Sequence, residues 1–146
     1  KGNAIGRKIA EDLNIKFYNR ELVDEIIEEV GIPKEIMENC VIIGRSADYI
    51  LKDSDKINLL RAFIYAPDDV RIHNIMESHN LTEKDAGILL LEKDKRYHKR
   101  HLALTGSNRG DRHNRNILID SSYLGTEGTA DYIEELVRRK FGSGEE

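Results

Sequence analysis

Cys40-Val41-Ile42-Ile43-Gly44-Arg45-Ser46-Ala47-Asp48 is a short apolar, β-branched run that stops at a glycine and gives way to polar residues. Such a run carries no polar alternation, so it suits a strand covered on both faces, as in a parallel sheet. The neighbouring segments fit that frame. Upstream, Ile5, Ile9 and Leu13 recur every four residues and predict a helix that Asn14 stops, followed by a strand over Ile15-Lys16-Phe17-Tyr18. A second amphipathic helix carries Leu22, Val23, Ile26, Ile27 and Val30, with Gly31 and Pro33 at its end.

Downstream, Ala62-Phe63-Ile64-Tyr65 reads as a strand, and Pro67 is pre-set for the first turn of a helix through Ile72, Ile75 and Met76. Thr82 with Asp85 marks the start of another helix, which takes in Ala86 to Leu91 and then a basic cluster. Asn116-Ile117-Leu118-Ile119-Asp120 predicts the fourth strand. A last helix with Ala130, Ile133, Val137 and Phe141 on one face ends at Gly142. Strands alternate with helices throughout, so the expected fold is α/β, a parallel sheet with helices on both faces. Ligands of such folds bind beyond the carboxyl ends of the strands.

The chain of 146 residues suits one domain around one core. No apolar run approaches the length that spans a bilayer and no signal-peptide pattern opens the chain, which sets the expectation of a cytoplasmic protein with no membrane partner. The single cysteine, Cys40, has no disulfide or zinc partner and is read as a packing residue. Net charge is only −4, which does not suggest a nucleic-acid binder. The local distribution is more informative. Between Glu92 and Asn116 stand Lys93, Lys95, Arg96, Lys99, Arg100, Arg109, Arg112 and Arg115 against Glu92, Asp94 and Asp111. A positive segment inside an acidic chain calls for an anion.

Three places can carry chemistry. Lys1-Gly2-Asn3 leads into the first helix, where free N–H groups and the helix dipole favour a phosphate, although a glycine before a helix is also a plain turn. No GxxxxGK[ST] occurs in the chain. Arg45 and Asp48 follow the buried strand at the ligand-binding edge; Arg45 can fork onto a phosphate and Asp48 can accept from a base amine, unless they form an ordinary surface ion pair. Lys93, Arg96 and Arg100 fall three and four residues apart and share one helix face. A solvated face mixes both signs, which this one does not. His98 and His101 are three apart, yet no carboxylate or thiol completes a metal set with them, and no metal ligands are assigned.

These residues resemble the cytidylate-kinase-like family within the nucleoside monophosphate kinases, over nearly the whole chain. Ile5 to Leu13 is similar to the helix after the family's glycine-rich phosphate loop, and Phe17 to Leu22 to its next strand-to-helix step. Cys40 to Leu51 is similar to its acceptor-nucleotide segment. Arg61 to Pro67, Asp120 to Gly125 and Glu127 to Ala130 follow the pattern too. The resemblance implies a P-loop NTPase-type sheet with a mobile basic helical lid over about residues 92–115. It implies transfer of a phosphoryl group from ATP, with Mg²⁺, to a nucleoside monophosphate, CMP or dCMP first. Arg45 and Asp48 would hold the acceptor; Lys93, Arg96 and Arg100 would close over the ATP phosphates; Lys1, Gly2 and Asn3 would line the end of the phosphate cradle.

The family pattern also places an apolar strand, central in the sheet, before the position of Lys1, and an acceptor-binding insertion between Asn39 and Cys40, so gaps are expected at both places. Three alternatives stand beside the kinase: one for another small phosphate acceptor, a non-catalytic nucleotide sensor, and an RNA-binding module using residues 93–115. Tyr97 is the only aromatic residue of that patch, which leaves little for base stacking.

Overall fold

A computed structural model describes residues 2–18, 39–43 and 58–142. In chain order the described elements are α1 (Gly2–Leu13), β1 (Lys16–Tyr18), β2 (Cys40–Ile42), β3 (Ala62–Tyr65), α2 (Asp68–His79), α3 (Glu83–Thr105), a short 3-10 turn (Arg112–Asn114), β4 (Ile117–Asp120) and α4 (Ser121–Phe141). The helix expected over Leu22 to Val30 lies outside the described residues.

All described strands pair in parallel, but as two pairs and not one sheet. In the first, Lys16, Phe17 and Tyr18 stand opposite Cys40, Val41 and Ile42. In the second, Ala62 through Tyr65 stand opposite Ile117 through Asp120. The parallel pairing expected from the sequence is seen among the described residues as two strand pairs sharing one core. Ile5 and Ile9 of α1 meet Ala130 and Ile133 of α4, and around them pack Val41 of β2, Ile64 of β3, and Ile117 and Ile119 of β4. Each fully buried isoleucine there contributes about 1.5–3 kcal/mol. Leu118 is 37% exposed while Ile117 and Ile119, on the opposite face of β4, pack on the core, so β4 is covered mainly on the face toward α1 and α4.

Local chemistry sets the helix ends. Thr82 caps α3 by accepting a hydrogen bond from the Asp85 amide at 3.2 Å, as its spacing foretold. Pro67 sits one place earlier than expected, at the cap of α2 with ψ 152°, and Asp68 and Asp69 fill the first turn where negative charge is favoured. Asn80 ends α2 in the left-handed region at φ 52°. α4 starts at Ser121, well before its apolar periodicity, because Asp120 accepts from the Ser122 amide at 2.9 Å; Gly125, with φ 76°, then interrupts the helix.

α1 lies tightly against the first strand pair. A Cβ on Gly6 would stand 2.5 Å from Ile43 Cδ1 and 3.2 Å from Phe17 Cε1, so the missing side chain is what permits the approach. Arg7 adds its guanidinium 4.7 Å from the centre of the Phe17 ring.

Candidate functional site

The helix-start part of the site is the first turn of α1. Gly2 is half-buried and Asn3 exposed, so the first-turn backbone N–H groups sit at an accessible helix end. Nothing within 4 Å would meet a Cβ on Gly2, leaving space beside it. The packing of Ile5, Gly6 and Ile9 fixes this turn relative to β1 and β2. Lys1, Arg45 and Asp48 lie outside the described residues.

The second part is α3. Lys93 is half-buried, and Arg96 and Arg100 are exposed. None of the three has an ion pair among the described residues; the acid within their stretch, Asp94, is taken by Arg71 of α2 through two hydrogen bonds, one of 2.8 Å from Nη1. That bond to Asp94 is the main reason the Arg71 guanidinium is held above its ordinary range, and the pair ties α2 to α3. Among the described residues three cations of one helix thus have no ion-pair partner, a field suited to an anion. Arg96 lies 5.3 Å from the centre of the Tyr97 ring. His98 is exposed whereas His101 is 2% exposed, so the two histidines do not present one surface.

The loop after α3 carries Arg109, Arg112 and Arg115, to which sequence spacing alone gives no role. Arg109 brings its guanidinium to 5.6 Å from the Tyr97 ring centre, and Arg115 lies 5.3 Å from that of Phe63. Asp111 accepts from both the backbone and the ring of His113; the backbone bond is the larger reason its carboxyl is held below the usual carboxylate range. An alternation of Arg with a lone aromatic was the available signal in the sequence.

A cluster that sequence spacing reveals only in part joins α1 to α4. Lys8 binds Asp12 one turn on, and reaches Asp131 at 3.4 Å. Glu134 is 2% exposed, its Oε2 has no partner, and Arg138 approaches its other oxygen at 3.9 Å. Burial first, and then the neighbouring Asp12 carboxylate, push the Glu134 carboxyl up to about 7. Carboxylate oxygens of Asp12, Asp131 and Glu134 lie within 4.8 Å of one another, the one such group among the described residues. It does not fit a nucleotide-bound Mg²⁺. The Lys8 ammonium already compensates it, and Asp12 lies ten residues along α1 from Gly2, about 15 Å at the helical rise. Cys40 is half-buried and its thiol is pushed up by that burial, in keeping with a packing role and not with a reactive thiolate.

Fold and site together define a mixed α/β protein with small parallel strand pairs, an accessible helix start and a separate basic helix. A family model described as the cytidylate kinase-like family matches residues 1–39 and 35–123. The chain belongs to this family, and membership points to nucleotide-kinase chemistry. It is 24% identical over 148 aligned residues to a cytidylate kinase of Thermococcus sibiricus, covering 97% of this chain and 75% of that protein. It also superposes with a TM-score of 0.79 on the crystal structure of an uncharacterized protein from Eubacterium ventriosum, at 26% identity, over 94% of this chain and 92% of the other. No helix among the described residues is long and apolar enough to cross a membrane.

Proposed function

We propose that this protein transfers a phosphoryl group from ATP to a nucleoside monophosphate, with CMP or dCMP as the preferred acceptor, on a P-loop-type nucleotide-binding fold. The observation that carries the reading is the trio Lys93, Arg96 and Arg100, three cations without ion-pair partners among the described residues of a chain in the cytidylate kinase-like family. Phosphoryl transfer asks little covalent help of a protein and much positioning and charge neutralisation. In this reading the first turn of α1, at Gly2 and Asn3 with Lys1 beside it, directs its N–H groups at a phosphate. Arg96, Arg100 and Lys93 neutralise the charge spreading over the transferred group, and their closure excludes the water that would otherwise hydrolyse ATP. Arg45 takes the acceptor's phosphate and Asp48 orients its base. Mg²⁺, bound with ATP, supplies further neutralisation of the phosphates. ATP and monophosphates are cytoplasmic solutes, and the cytoplasm is the proposed location.

The test is coupled ADP release by the full chain with CMP, dCMP, UMP, AMP and GMP in turn. The expected result is fastest turnover with CMP or dCMP. Measurable ATP binding with no acceptor-dependent turnover would replace the kinase with a nucleotide sensor. Uniform turnover across all five would remove the cytidine preference.

A further inference from the structure

We propose that Asp12, Asp131 and Glu134 form a site for a hard divalent cation, calcium by preference, which displaces the Lys8 ammonium and ties α1 to α4. The site stands apart from the Mg²⁺ of a nucleotide, which this cluster does not fit, and it is independent of the kinase reading. Asp12 comes from α1, whereas Asp131 and Glu134 are three residues apart on one face of α4. One carboxylate oxygen from each lies within 4.8 Å of the other two. Oxygen ligands on opposite sides of a calcium ion stand about 4.6–5.2 Å apart and neighbouring ones closer, so three oxygens this near can share one ion. All three donors are carboxylates, with no imidazole or thiolate among them, which favours a hard cation over zinc or copper. Calcium tolerates an irregular set, whereas magnesium demands a near-octahedral one and gives up its water reluctantly.

Three acids close together would be an ordinary charged patch but for Glu134. It is 2% exposed, yet its Oε2 has no hydrogen-bond partner. Arg138 comes only to 3.9 Å of its other oxygen, and the Lys8 ammonium is bonded to Asp12 and, at 3.4 Å, to Asp131. Three carboxylates thus face two cations, and the carboxylate withdrawn from water is the one with an unbonded oxygen. Such an oxygen is costly to bury, and a cation relieves both the missing bond and the excess charge. A divalent ion together with Arg138 balances all three carboxylates, which frees Lys8 to turn outward. Its side chain is 27% exposed on a flexible four-carbon stem, so the way to water is open. The Asp12 and Asp131 side chains are 36% and 68% exposed, and water reaching that side completes the ion's shell.

The experiment titrates calcium chloride and then magnesium chloride into the full chain, stripped of metal and free of nucleotide, by calorimetry, with the melting temperature followed alongside. A pH of about 8 is chosen because the Glu134 carboxyl, pushed up to about 7, is then mostly ionised. The expected result is one calcium per chain with Kd about 10⁻⁴–10⁻³ M, tighter than magnesium, and a melting temperature about 5 °C higher at a hundredfold excess over Kd. Asp131→Asn and Glu134→Gln should each weaken calcium binding at least about 10-fold, and Lys8→Gln should tighten it about 10-fold by removing the competing ammonium. Asp131 is a surface residue, so its variant decides the matter should Glu134→Gln not fold. No saturable calcium binding in either the wild type or Lys8→Gln overturns the proposal. Binding that Asp131→Asn leaves unchanged overturns it as well, since the ion then sits elsewhere, and so does a Lys8→Gln variant that binds less tightly than the wild type. Calcium bound as expected in a protein that phosphorylates no monophosphate leaves this site standing while the kinase reading falls.

Discussion

Replacing Gly6 and Gly87 by alanine, each in its own variant, separates helix propensity from close packing within one protein. Both glycines are helical, Gly6 in α1 and Gly87 in α3, and alanine in a helix interior is worth about 1 kcal/mol over glycine. At Gly87 the new Cβ finds only Ile72 Cδ1, at 4.0 Å, an ordinary contact. Gly87→Ala is therefore expected to stabilise the fold by about 0.5–1 kcal/mol. At Gly6 the same atom would stand 2.5 Å from Ile43 Cδ1, 2.8 Å from Ile43 Cγ1 and 3.2 Å from Phe17 Cε1. Ile43 can swing its outer atoms, but Phe17 lies on the other side and the strand pair is held in register behind both. Overpacking of this kind costs about 1–3 kcal/mol, which cancels or exceeds the propensity gain and leaves Gly6→Ala about 0–2 kcal/mol less stable. Gly6→Leu loses the compensation and should fall further. Urea unfolding followed by circular dichroism measures all three, with the midpoint as readout. If Gly6→Ala gains as much as Gly87→Ala, α1 does not pack on β1 and β2 as described.

Three further outcomes are expected. The Glu134 carboxyl, pushed up to about 7 from an ordinary 4.5, binds a proton in the folded protein that the unfolded chain has released, so its contribution is full below about 4.5 and is lost as pH rises through about 7. Glu134→Gln should remove a stability slope of at most about 1.4 kcal/mol per pH unit between those values, seen as a difference in urea midpoints; parallel profiles would show that the carboxyl titrates normally. For Arg71 and Asp94, each about a third exposed, solvent screening trims the pair, and a double-alanine cycle should give a coupling of about 0.5–1 kcal/mol; zero coupling would mean that α2 and α3 are held by apolar contacts alone. Arg100→Ala should lower kcat at least about 10-fold with little change in ATP affinity, because its contact forms on closure; an equal loss in both would make Arg100 a ground-state anchor.

The parts of this fold that were legible are those set by short-range chemistry. Ala62 to Tyr65 was read to the residue, since a β-branched and aromatic run ending before a proline leaves little choice. The start of α3 followed from Thr82 and Asp85. β4 is one residue shorter than read because Asn116 extends the ladder without being part of the strand: its amide donates to the Arg61 carbonyl oxygen and its side-chain oxygen accepts from the Arg61 amide. The early start of α4 was hidden by Gly125, whose positive φ breaks the apolar period. The separation into two strand pairs leaves no trace in periodicity, since a strand's pattern records its burial and not its neighbour.

Site residues divide along the same line. Lys93, Arg96 and Arg100 stood out by charge and spacing on one helix. Arg71 with Asp94, Lys8 with Asp131, and Arg109 with Tyr97 depend on how separate segments come together, which no local pattern encodes. Nothing in the sequence sets Glu134 apart from the other acidic residues of its helix. Only the packing of α1 against α4 removes it from water and places it beside Asp12.

Incubation of the full chain with ATP labelled on its γ-phosphate and with CMP, followed by separation of the nucleotides, tests the central claim most directly. The account predicts label in CDP, dependent on CMP and Mg²⁺ and strongly reduced in Arg96→Ala. Label that remains in ATP, or appears only as inorganic phosphate whatever monophosphate is supplied, would contradict it.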